Sequence, residues 1–128
     1  MTEVTGGLAI LATESRTLAV GLSALLLSIP PIDKVDLVAD IETLLHKAAT
    51  RQPVLVIVDT SLVGRRLPET SREIHRVAPN ALHVLLSENM AEFRVLVYES
   101  QDAVIMKGTE PGRLARTLEF LLQDHIVA

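Results

Sequence analysis

The chain has 128 residues, 48% of them hydrophobic and 22% charged, with a formal net charge of −4 and no cysteine. That length suits one domain, residues 1–128, with a sizeable core, and the composition is too apolar for a disordered segment. The absence of cysteine excludes disulfides, thiolate metal sites and cysteine nucleophiles, while the acidic excess, one Tyr and two Phe argue against direct binding of DNA or RNA.

In chain order, the opening MTEVTGG lacks the basic region of a secretory signal, and a cytoplasmic location is expected. Leu8–Thr13 is a short apolar run that reads as a buried strand. Arg16–Ile29 places Leu18, Leu22, Leu25, Leu26 and Ile29 at helical spacing, with Pro30-Pro31 as its stop. Its apolar part, Leu18–Ile29, is interrupted by Gly21, Ser23 and Ser28 and is shorter than the ~20 residues of a membrane span. Lys34–Ala39 is a second strand, and Ile41–Gln52 a helix with Leu44, Leu45 and Ala48 on one face.

Val54–Val58 is continuous and β-branched, the pattern of a strand covered on both faces, and it ends on Asp59. Pro68–Val77 reads as a helix stopped by Pro79-Asn80. Leu82–Leu86 is a strand ending at Ser87, Met90–Ser100 a helix, and Ala103–Met106 a strand ending at Lys107. A last helix from about Glu110 aligns Leu114, Leu118, Leu121, Leu122 and His125. Five strand–helix units imply a parallel sheet with helices on both faces. The expected architecture is an α/β, doubly wound five-stranded sheet of order 2-1-3-4-5, with its site at the carboxyl ends of the strands.

That order makes neighbours of the strands ending in Thr13-Glu14, Asp59, Ser87 and Lys107. Such a set suits phosphoryl chemistry. Aspartate can act as a nucleophile, a second carboxylate helps to hold Mg²⁺, and lysine and serine supply charge and a hydrogen bond to phosphoryl oxygens.

These segments resemble the bacterial two-component response-regulator receiver domain, a flavodoxin-like (CheY-like) fold, of the LuxR/NarL type often joined to a DNA-binding domain. ILATESRTLAVGL resembles its first strand, acidic pair and first helix; VLVIVDTSL resembles the phosphoacceptor strand; HVLLSE and AVIMKG carry its hydroxyl and lysine. The resemblance implies Asp59 as phosphoacceptor, with Ser87 and Lys107 contacting the phosphoryl group. It implies Mg²⁺ held by Glu14, Asp59 and the Ser61 backbone carbonyl. A histidine kinase or small phosphodonor is the implied partner, with a possible homodimer through the fourth helix, fifth strand and fifth helix. The implied activity is self-phosphorylation and slow dephosphorylation rather than enzymatic turnover of a substrate, with transcription regulation as a usual output.

The sequence departs from the family in four places. Thr13 replaces the first acid and Glu14 is longer than the usual Asp; Met-Pro does not follow Asp59; Val104 stands where many receivers carry an aromatic residue; and Gly108 follows Lys107 in place of Pro. Thr13 brings in a second reading, a pseudo-receiver acting as a phosphorylation-independent interaction module. A third, a small flavodoxin-like enzyme or nucleotide binder, lacks any glycine-rich phosphate loop, since Gly6-Gly7 fits none. Elsewhere, Arg65 and Arg66 read as a solvated loop, and Arg72 and Arg76 as an exposed helix face near Glu69 and Glu73. His46, His75, His83 and His125 lack metal-ligand spacing, and His83 reads as a hydrogen-bonded strand histidine.

Overall fold

The computed structural model describes residues 7–100 and 102–127, the side chains of Ile126 and Val127 excepted; the segment 1–6, examined above for signal character, lies outside them. Five strands form one parallel sheet of order β2-β1-β3-β4-β5, from β1 (Gly7–Ala12), β2 (Ile32–Val38), β3 (Leu55–Asp59), β4 (Leu82–Ser87) and β5 (Ala103–Met106). The expected order is the observed one. The helices are α1 (Arg16–Leu26), α2 (Ile41–Arg51), α3 (Thr60–Val63), α4 (Leu67–Val77), α5 (Met90–Glu99) and α6 (Pro111–Val127). None of them is long and apolar enough to cross a membrane.

The apolar strands alternate between two cores, which explains why no polar alternation marks them. On one face Ala9, Leu11, Leu55, Ile57, Val84 and Leu86 meet Leu22, Leu26 and Ile29, and Leu114, Leu118 and Leu122 of α6. On the other, Ile10, Ala12, Val56, Val58 and Leu85 meet Leu44 and Ala48 of α2 and Ile74 of α4. Each fully buried leucine contributes about 1.5–3 kcal/mol relative to exposure.

Some boundaries differ from the sequence reading. α1 ends at Leu26, because the next bonds (Ser28 N–H to Leu25 O and Ile29 N–H to Leu26 O) tighten to three-residue spacing; Ile29 nevertheless stays buried. β2 starts at Ile32 because it pairs with Gly7 there. After Asp59 the chain forms α3 and then a 3₁₀ turn at Gly64–Arg66, which takes in Arg65 and Arg66, the pair expected in a loop; Gly64 has φ 62°, a backbone conformation that glycine adopts without strain. Gln52 ends α2 in the left-handed region and ties it to α4: its Nε2 donates to Ala49 O and Val77 O, both at 2.9 Å.

Candidate functional site at the carboxyl ends of the strands

β3 ends on Asp59, the residue is 1% exposed, and both of its carboxylate oxygens are occupied. Oδ1 faces Lys107 Nζ at 2.6 Å and accepts from the Ser61 hydroxyl at 2.7 Å and the Ser61 N–H at 3.0 Å. Oδ2 accepts from the Thr13 hydroxyl at 2.7 Å. Thr13 in turn accepts the Ser15 N–H at 3.0 Å, so its single proton is committed to Asp59. Burial pushes the Asp59 carboxyl upward, but the Lys107 ammonium and the Thr13 and Ser61 donors together outweigh it and hold the group below its ordinary range. Burial likewise lowers Lys107, and Asp59 and Glu88 more than reverse it, so its ammonium is held above the usual lysine range.

Three expected residues thus meet: Asp59, Lys107 and Ser61, the last through its N–H and hydroxyl. Thr13 joins them through its hydroxyl. Ser87 is fully buried at the end of β4, yet its Oγ has no hydrogen-bond partner among the described residues. It does not cap the next helix; Asn89 does, accepting the Glu92 N–H at 2.9 Å. Glu14 is exposed.

Two acids went unnoticed in the sequence. Glu88 Oε1 lies 2.6 Å from Lys107 Nζ, a second anion on the same cation. Glu92 accepts from the Thr60 hydroxyl at 2.7 Å and the Glu88 N–H at 2.7 Å, joining α3 to the start of α5. The EN pair after Ser87, with an acid three residues past a capping Asn, carried that signal.

The donor set does not suit Mg²⁺ in this arrangement. Mg²⁺ asks for oxygen lone pairs in near-octahedral geometry. Here one Asp59 oxygen faces an ammonium, the other faces a hydroxyl proton, and the neighbouring acid, Glu14, is turned to solvent. Lys107 and three neutral donors supply the compensation a cation would give.

No family model matches the chain, and no curated protein matches it. Solved structures do. A signal receiver domain of an HD domain-containing protein from Pseudomonas fluorescens superposes with TM-score 0.80 at 20% identity, covering 99% of this chain and 95% of that one. A LuxR-family two-component response regulator from Aurantimonas gives 0.77 at 19%, covering 94% and 87%. A CheY-like receiver domain protein from Methanospirillum hungatei gives 0.77 at 15%, covering 94% and 97%. At these identities the likeness establishes the fold: this chain has the CheY-like fold of response-regulator receiver domains.

Proposed function

We propose that the chain is a receiver-type signalling domain whose pocket is neutralised by its own side chains, so that it acts through protein contacts without Mg²⁺-dependent phosphorylation. The observation that carries this reading is the saturated Asp59 carboxylate, with Thr13 donating where the family pattern has an acid. A buried anion without compensation costs several kcal/mol. With Lys107, Ser61 and Thr13 in place it is compensated, and the Lys107–Glu88 contact and the Thr60–Glu92 contact extend the network to α5.

The surface that would meet a partner, or a second copy, is formed by α5, β5 and α6. α5 buries none of its side chains fully, and Val97, Tyr98 and Phe120 stand exposed. The partner class is another signalling protein in the cytoplasm, and control of transcription belongs to the same reading, by analogy with a two-component transcriptional regulator from Clostridium phytofermentans of the same fold. No substrate turnover is proposed.

One observation favours phosphoacceptance instead. A buried hydroxyl without a partner is uncommon, and a phosphoryl oxygen on Asp59 would offer Ser87 Oγ an acceptor. Intact-mass spectrometry after incubation with Mg²⁺ and acetyl phosphate separates the two. The proposal expects no phosphoryl adduct on the wild type; an adduct that disappears in Asp59→Asn overturns it.

A further inference from the structure

At the end of β4 remote from Ser87, three side chains that the sequence scatters come together. His75 lies in the last turn of α4, His83 is the second residue of β4, and Asp102 immediately precedes β5. Each offers one ligand atom, and the three atoms lie within 4.8 Å of one another. We propose that His75, His83 and Asp102 form a site for a divalent transition-metal ion of the zinc type. Two imidazoles and one carboxylate, with a fourth position left to water, are a donor set suited to such ions and not to Mg²⁺ or Ca²⁺.

The surroundings orient the donors. His83 Nε2 lies 2.9 Å from the Ala78 carbonyl oxygen, which can only accept; Nε2 therefore carries the proton and Nδ1 keeps its lone pair. Burial favours the neutral ring, against the pull of the Ala78 carbonyl, and holds His83 below the usual histidine range. The Asp102 side chain is only 4% exposed. Its Oδ2 accepts from the Ser71 hydroxyl at 2.6 Å, and its Oδ1 contacts His75 Nε2. Ser71 and the Ala78 carbonyl thus take the outer-sphere roles that fix metal ligands in place. A cavity of about 340 Å³ lined in part by Ser71, His75, Leu96 and Asp102 gives an ion and its water a way in.

One adjustment is needed. The two imidazole rings stack at 3.8 Å and 13°, which sends their in-plane lone pairs side by side. His75, whose side chain is 46% exposed, has the freedom to tilt until its Nε2 converges on the ion. Binding then replaces the His75 Nε2 contact with Asp102 by a bond from each to the ion. The bound ion would tie α4, β4 and the start of β5 together, β5 being the short strand that leads to Lys107.

The test is titration of metal-free protein with Co²⁺ followed by Zn²⁺, read by visible absorption and calorimetry. The expected result is a single equivalent of Co²⁺ with the strong visible bands of a four-coordinate site, displaced by Zn²⁺. His75→Ala should abolish it, Ser71→Ala should weaken it about tenfold, and His46→Ala, on the exposed face of α2, should leave it unchanged. His83 is buried, so its replacement would mix binding with folding, and the exposed His75 carries the test. Wild-type protein that binds no stoichiometric Co²⁺, or a folded His75→Ala that binds it as the wild type does, overturns the proposal and leaves a His75–Asp102 hydrogen bond.

Discussion

Asp59 and Asp102 are buried carboxylates at opposite ends of one sheet, and each faces a basic side chain and a hydroxyl. At Asp59 the partner is Lys107, charged throughout the physiological range, with Thr13 and Ser61 as donors. At Asp102 the partner is His75, stacked on a second imidazole, with Ser71 as donor. A lysine ammonium can only donate, and in the proposed reading it takes the place of a cation at the first carboxylate. A neutral imidazole keeps a lone pair on one ring nitrogen and can act as a ligand, so the proposed metal site lies at the second carboxylate. The choice of base, more than the acid, decides what each end of the sheet can bind.

The largest expected effect lies at the lysine end. Lys107→Met leaves Asp59 buried without its cation and should lower stability by about 3 kcal/mol at neutral pH, read by urea unfolding. The loss should shrink in acid as Asp59 takes up a proton; a variant as stable as the wild type would mean that the hydroxyls alone suffice. Thr13→Val removes one hydrogen bond to an ionised group and should cost about 2 kcal/mol in the same assay.

Acid titration distinguishes the two ends. The folded pKa of Asp59 is depressed, so its contribution is complete above the usual aspartate value of about 3.9 and is lost only as pH falls through the lowered folded value. His83 is depressed as well, so between its folded value and about 6.5 the unfolded chain binds the extra proton. Stability should therefore fall as pH drops below about 6.5, well before Asp59 responds. That early slope should vanish in His83→Gln; its persistence would assign it to other groups. The smallest effect is expected at the exposed Arg76–Glu73 pair, where Arg76→Ala should change stability by less than about 0.5 kcal/mol.

These two ends were not equally legible in the sequence. Strand order and the convergence of Asp59 and Lys107 follow from apolar runs ending in polar residues, because a parallel α/β sheet brings the ends of its strands to one edge. The Asp102 cluster has no such signal. His75 and His83 are eight residues apart on different elements, Asp102 is 19 further on, and neither interval has a ligand period. His83 was read correctly as hydrogen-bonded, but its stacking on His75 depends on how α4 settles against β4. In the Asp59 pocket the residue types could be listed, yet not their satisfaction. That Thr13 donates to Asp59, that Glu88 shares Lys107, and that Ser87 neither caps a helix nor finds a partner all depend on side-chain directions, which spacing does not encode.

In the proposed reading, Thr13 and Lys107 do for Asp59 what a bound cation would do. Mg²⁺ titration followed by NMR, on the wild type and on Thr13→Asp, tests it most directly. No saturable shift is expected at the Asp59, Ser87 and Lys107 amides of the wild type, and saturable shifts are expected once Thr13→Asp places a second fixed charge beside Glu14. Saturable Mg²⁺ shifts in the wild type, lost in Glu14→Ala, would contradict it.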